Sequence, residues 1–347
     1  MTPDAALALI SEFNALPNSP SRRQLQALLD SFGIEASTLT VLARLLNRSP
    51  REDIRSLAMR LVLSASELNE PHASFTLVNE ALKLNQGLTH PELKHAKAHV
   101  TDMAHKGHPR AMLLLGRIYE ANGQDKLAGP LYEQAASVPL PEDDSHSYLI
   151  PTDDFMPWLS LGRFKLAHED YEGAKEAFSI GIALDEPMAY LNMSYFMDKE
   201  DPQYETYLLK AAMAGIPEAC HKLGLFYQQE SKEVQITKSE QEEKQQRAKS
   251  RSRKMLGEEW FGVAFGGGHI KSGIAFALSR RLLGDPDEGY HFLTTTEKVI
   301  KNKAPNIDKE EVDLLEVVKY FKDLWDDYDD DSKRLRDGQV SFIEQYG

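Results

Sequence analysis

Ala104-His105-Lys106-Gly107-His108-Pro109-Arg110-Ala111, followed by Leu115-Gly116 and Tyr119, comes back as Ala212-Met213-Ala214-Gly215-Ile216-Pro217-Glu218-Ala219, followed by Leu223-Gly224 and Tyr227. A third copy, Phe265-Gly266-Gly267-Gly268-His269-Ile270-Lys271-Ser272, runs on to Phe276-Ala277. Gly107 and Gly215 are 108 residues apart, which is three periods of about 36, a spacing typical of helical arrays. Two copies with degenerate glycines fit between them. One passes through Pro157-Trp158, Leu161-Gly162 and Tyr171-Glu172-Gly173-Ala174, the other through Pro187-Met188-Ala189 and Met193-Ser194.

The pattern reads as an αα-hairpin. Its first helix carries a small residue, then Leu-Gly, then an aromatic. A residue without bulk beside the leucine lets a neighbouring helix approach closely. The second helix carries paired alanines, Ala135-Ala136 and Ala211-Ala212, and the glycine after it can take a positive φ and end the helix. One hairpin cannot bury both its faces, so hairpins must stack. The expected fold is all-α, an α-solenoid of stacked αα-hairpins.

The string Ala111, Leu115-Gly116-Arg117-Ile118-Tyr119, Asp125-Lys126-Leu127-Ala128, Leu131-Tyr132 and Ala135-Ala136 resembles a Sel1-like repeat. So does Ala219, Leu223-Gly224-Leu225-Phe226-Tyr227, completed by Glu259-Trp260-Phe261, Ala264 and Gly268-His269. The copy at Trp158, Leu161-Gly162, Tyr171, Ala174 and Ala177-Phe178 is closer to a tetratricopeptide repeat. The resemblance covers about residues 92–295 and departs from the family where Glu172-Gly173 replaces a longer turn and Ala277 stands in the Leu-Gly glycine position. It implies a superhelical scaffold doing adaptor or assembly-factor work in a larger complex.

Three regions are expected: a diverged helical N-terminal region at 1–90, repeats at 91–295 with an insertion at 229–255, and a capping helix with an acidic tail at 296–347. In the first, helices are predicted over 3–16, 21–31, 37–47 and 51–68, with Thr2 as N-cap and Pro3 at the first helical position, and Ala73–Leu84 as the second helix of a diverged hairpin. Residues 138–156 read as an acidic, proline-bearing loop. The second half of the insertion, Lys244 to Lys254, holds six basic residues and no acid; it either extends a helix or stays mobile. Asp308 and Glu311 have capping-box spacing, opening a helix whose stripe is Val312, Leu315, Val318, Phe321, Leu324 and Trp325.

Composition bounds the function. The chain has 347 residues, 41% hydrophobic and 27% charged, with net charge −14 and pI near 5.3. That is ample for a core, and it lacks the general positive field of a non-specific nucleic-acid binder. The single cysteine, Cys220, excludes an internal disulfide and fits a reducing compartment. The cytoplasm or the mitochondrial matrix, the latter after loss of a presequence, is the expected location.

Motif-like residues are weighed against plain packing. His95 and His99 have metal-ligand spacing, yet two histidines fall short of the three or four ligands zinc takes. Gly266–Gly273 lacks the Gly-Lys-Ser order and preceding strand of a phosphate loop. Cys220 and His221 are adjacent on a helix and do not face each other. No catalytic, cofactor or metal residues are assigned, and no enzyme activity is expected. The expected function is a non-enzymatic scaffold or adaptor that holds a peptide or helix of a protein partner on its concave face, with Arg117, Tyr119, Arg163, Tyr195, His221 and Tyr227 as contacts. For the tyrosines, repeat-core packing is an equal alternative. Trp325 and Tyr328 beside the acidic run 326–331 are further candidate anchors. The other functional expectation is an organellar RNA- or translation-associated factor using 244–254.

Overall fold

The computed structural model describes residues 2–84, 90–138, 156–230, 240–303, 307–325 and 342. Among them there are helices and no strand. The chain divides into two units, Met1–Ala177 and Phe178–Gly347. The first holds α1 (Pro3–Ala15), α2 (Arg22–Phe32), α3 (Ala36–Asn47), α4 (Glu52–Glu67), α5 (Pro71–Lys83), α6 (Lys94–His105), α7 (Pro109–Ala121), α8 (Asp125–Ser137) and α9 (Pro157–Ala167). The division falls inside α10 (Tyr171–Ala183). The second holds α11 (Pro187–Ser194), α12 (Pro202–Met213), α13 (Pro217–Glu230), α14 (Glu240–Gly266), α15 (Ile270–Leu283), α16 (Pro286–Asn302) and α17 (Lys309–Asp323). In each unit most helices consecutive in sequence pack on one another, while α2 meets α1 and α4; such neighbour packing is what stacked hairpins require.

One turn recurs and explains why the glycines could be degenerate. At Gly107 the N–H donates to the carbonyl of Ala104 and the next N–H, of His108, donates to Met103, five residues back. The same pair of bonds closes the turns at Gly215 (to Ala212, then Ile216 to Ala211) and Gly268 (to Phe265, then His269 to Ala264). All three glycines have φ between +83° and +95°, where a Cβ is penalised. Asn69, Glu169 and Asp185 take the same left-handed conformation at φ 62°, 61° and 55°, with the same two bonds. The copy at Pro187 therefore keeps the turn at Asp185 while losing its glycine, and Glu169 does the same inside the hairpin before it. The turn at His168–Asp170 also moves the break ahead of Glu172-Gly173, which lie in the first turn of α10. Proline follows two residues after the left-handed residue at Pro71, Pro109, Pro187 and Pro217. Each opens a helix at a position whose N–H has no intrahelical partner in any case. Because Asn69-Glu70-Pro71 obeys this rule, the hairpin turn reaches into the region that matches no repeat by sequence.

Close approach is where the Leu-Gly signature acts. A Cβ on Gly116 would lie 2.8 Å from Cε1 of Tyr132, and one on Gly224 would lie 2.6 Å from the Phe261 ring and 2.9 Å from the carbonyl oxygen of Gly257. In the third copy the small residue changes sides. Ala277 stands in the signature position, and the space is made by Gly289 on α16, whose Cβ would lie 2.6 Å from the Ala277 carbonyl oxygen.

On α3, Leu39 is buried while Leu45 is 53% exposed. Three expectations are refined. The stripe of α17 is Leu314, Val318, Phe321 and Trp325, with Val312 left 48% exposed; the capping box at Asp308 and Glu311 is present. The basic stretch 244–254 lies within α14, extending the second helix of its hairpin. Trp325 is a core residue, its Nε1 donating to the Pro286 carbonyl at 3.1 Å and its ring 4.6 Å from the Arg281 guanidinium. The expected loop at 138–156 and the acidic run with Tyr328 lie almost wholly outside the described residues.

Candidate functional site: a two-arginine cleft

The close approach at Gly116 builds a polar cleft in the first unit. With no side chain at 116, the Tyr132 ring of α8 lies against α7. Its hydroxyl donates to Glu120 Oε2 at 2.5 Å, one turn along the same helix. Burial, then the Glu120 carboxylate, push the Tyr132 hydroxyl far above its ordinary pKa, so it stays a donor. Tyr132 also meets Phe164 of α9, ring centres 5.3 Å apart, and Gly129 leaves room for that ring.

Arg117 follows Gly116 and Arg163 precedes Phe164, so both arginines line the same cleft of about 190 Å³ with Glu120 and Ser160. Arg117 is held by one bond, Nη1 donating to Asn79 Oδ1 of α5 at 2.7 Å. Arg163 is exposed and forms no ion pair or hydrogen bond with a described side chain. Two guanidiniums face one carboxylate that already accepts from Tyr132. The cleft is thus short of one negative charge, and a planar carboxylate is the group a guanidinium fork pairs with best.

The remaining expected contacts fall differently. Tyr119 is half-buried against the core of the first unit. Tyr195 is 54% exposed, its hydroxyl donating to Glu218 at 3.3 Å, with Lys222 Nζ 4.2 Å over its ring. His221 and Tyr227 lie inside the repeats, which for Tyr227 is the core-packing alternative. They are 3% and 5% exposed, with Tyr227 donating to Glu205 at 2.6 Å, so they hold repeats together instead of facing solvent. Arg117 and Arg163 belong to the first unit, Tyr195, His221 and Tyr227 to the second.

Around His221 the second unit holds an assembly that sequence spacing did not disclose. Ser272 Oγ lies 2.8 Å from Nδ1 of His221 and 2.8 Å from Nδ1 of His269, and His269 Nε2 lies 3.1 Å from Glu218. The contact to His269 comes first in holding the Glu218 carboxyl down at about 2. This serine–histidine–carboxylate chain has the composition of a hydrolytic set, but Ser272 is fully buried and no substrate carbonyl can reach its hydroxyl. It acts as a polar clasp between α13 and α15. His95 and His99 are taken up by Asn69 and Ser74, and no group of three metal-binding side chains occurs among the described residues. No described helix is long and apolar enough to cross a membrane.

No protein-family model and no curated protein matches the chain. Among solved structures it is similar to a Sel1 repeat protein from Oxalobacter formigenes, at 16% identity over 85% of this chain and 89% of that one, with a TM-score of 0.32. It is also similar to a protective antigen of uropathogenic Escherichia coli strains that displays an SLR fold, at 15% identity over 88% and 71%, with a TM-score of 0.39. Both superpositions are loose, so the hairpins and turns described above are what define the fold. The chain is a helical hairpin-repeat protein.

Proposed function

We propose that this protein is a non-enzymatic scaffold that holds a segment of a protein partner during assembly of a larger complex, with Arg117 and Arg163 gripping an acidic group of that segment. The observation that carries the reading is the unpaired Arg163 guanidinium lining the same cleft as Arg117. Two like charges in one cleft are unfavourable unless something negative joins them, and the helices that carry them need no backbone ordering on binding. Tyr119 and Tyr195 remain candidate contacts; His221 and Tyr227 support the repeats from within.

The test is quantitative affinity capture with the full chain from its native organism, wild type against Arg117→Ala/Arg163→Ala. Loss of a defined partner from the double variant, with an unchanged helical circular dichroism spectrum, supports the reading. Equal capture by both proteins refutes it. An RNA contact is the second reading. It draws on the exposed Lys249, Arg251 and Lys254 of α14, and binding that falls steeply with salt would favour it.

A further inference from the structure

The first unit carries a second feature, distinct from the two-arginine cleft. Helices α3, α4 and α5 enclose a groove of about 580 Å³. Its floor is made of small side chains, Ala43, Ala58 and Ala81, all buried. Its rim carries exposed apolar side chains, with Met59 52% and Leu84 62% exposed, beside the polar Asn47, Arg55, Glu80, His90 and Glu92. On α5, Leu77, Ala81 and Leu84 stand at i, i+4 and i+7; on α4, Ala58 and Val62 stand at i and i+4. Two such rows with a floor of alanines form the trough that the side-chain ridge of a third helix fills. An exposed apolar trough rimmed by polar residues is a candidate interaction site.

Charge says what the occupant must carry. Arg44, one turn beyond Thr40 on α3, lines the groove and is half-buried. It forms no hydrogen bond or ion pair with a described side chain. Glu70 is the nearby acid, but its carboxylate already accepts from Thr40 Oγ1 at 2.6 Å and from the N–H groups of His72 and Ala73 at 3.1 and 2.6 Å. Arg110 adds a like charge. The acids that line the groove have their own partners, Glu80 with Lys83 at 3.6 Å and Glu92 with His90 at 3.8 Å. A half-desolvated guanidinium without an acceptor is unfavourable, and Arg55, which also lines the groove, adds a second positive charge.

We infer that this groove docks an amphipathic helix of another protein, whose apolar ridge lies between α4 and α5 and whose carboxylate, one turn from that ridge, meets Arg44. The helix presents leucine-like anchors at i, i+3 or i+4, and i+7, the usual mode for a helix in an apolar groove. The acid supplies orientation, because only one direction brings it to the Arg44 end.

The probe is a fluorescein-labelled stapled helical peptide of about three turns, with leucines at i, i+4 and i+7 and a glutamate one turn beyond, titrated by anisotropy against the full chain. The glutamate peptide should bind saturably and about five- to tenfold more tightly than its lysine counterpart. Arg44→Gln should erase that difference, and Met59→Gln, at an exposed rim position, should weaken both peptides while circular dichroism stays unchanged. Absence of saturable binding overturns the inference, as does equal binding of the two peptides to wild type and to Arg44→Gln. Sedimentation supplies the remaining arm. A self-associated chain that the peptide and Met59→Gln both disperse would mean that a second copy fills the groove, which also overturns it.

Discussion

Enlarging Gly224 tests the packing of the second unit where two helix backbones approach closely. A methyl group at 224 lands 2.6 Å from Cδ1 and Cε1 of Phe261 and 2.9 Å from the Gly257 carbonyl oxygen. The approach is mutual, since a Cβ on Gly257 would lie 2.8 Å from the Gly224 carbonyl oxygen. Ordinary contact begins near 3.4 Å, so α13 and α14 must separate by several tenths of an ångström. The Phe261 ring is fully buried and has no room to swing out, and a backbone carbonyl cannot turn away without breaking its helix. Overpacking of this kind costs about 1–3 kcal/mol. Alanine recovers up to about 1 kcal/mol of helix propensity against glycine. Gly224→Ala should therefore lose on the order of 1 kcal/mol net, and Gly224→Leu about 2–3 kcal/mol. For a cooperative unit of this size, each kcal/mol moves Tm by roughly 2–4 °C. Thermal denaturation followed at the helical circular dichroism band reads this directly. Gly266, where an added Cβ meets nothing within 4 Å, is the control, and Gly266→Ala should hold or raise Tm. Trimming the ring in Gly224→Ala/Phe261→Leu should show a coupling energy instead of additive losses. If Gly224→Leu melts with wild type, the helices do not cross where the Leu-Gly signature places them.

Three further outcomes follow from single environments. Glu218 is held at about 2 against an ordinary 4.5. A depressed carboxyl contributes stability that is present above the unfolded value and lost as pH falls through the folded one, so wild type should weaken between about pH 5 and pH 2, and Glu218→Gln should flatten that limb in urea titrations. Trp325 is 5% exposed with Gly289 beneath its ring; Trp325→Ala should cost about 3–5 kcal/mol, whereas an effect below about 1 kcal/mol by urea unfolding would place it at the surface. Cys220 is fully buried and burial raises its thiol pKa, so a disulfide reagent should modify the native chain at least about tenfold more slowly than the urea-unfolded one.

The all-α hairpin architecture was legible in residues whose effect is local. Pro109 and Pro217 start helices because of what proline lacks, Gly107 and Gly215 end them because of what glycine lacks, and Asp308 with Glu311 caps one by reach alone. The Leu-Gly pairs announced close approach correctly, since only a missing side chain permits it. Which face of each helix meets solvent was a different matter. In stacked hairpins a helix is covered on more than one side, so periodicity groups residues into stripes without saying which stripe a neighbour covers. His221 therefore looked like a contact and is buried, while Tyr227 and Trp325, each open to either reading from sequence, are core. Arg44, set among Leu42, Ala43, Leu45 and Leu46, is distinguished only by the fold, in which Glu70 is occupied by other donors. Arg117 and Arg163 stand far apart in the chain, and only the packing of Tyr132 against Gly116 and Phe164 brings them to one cleft. Local backbone chemistry is written residue by residue; charge balance and burial depend on which side chains the hairpins bring together, and those meet only in the folded stack.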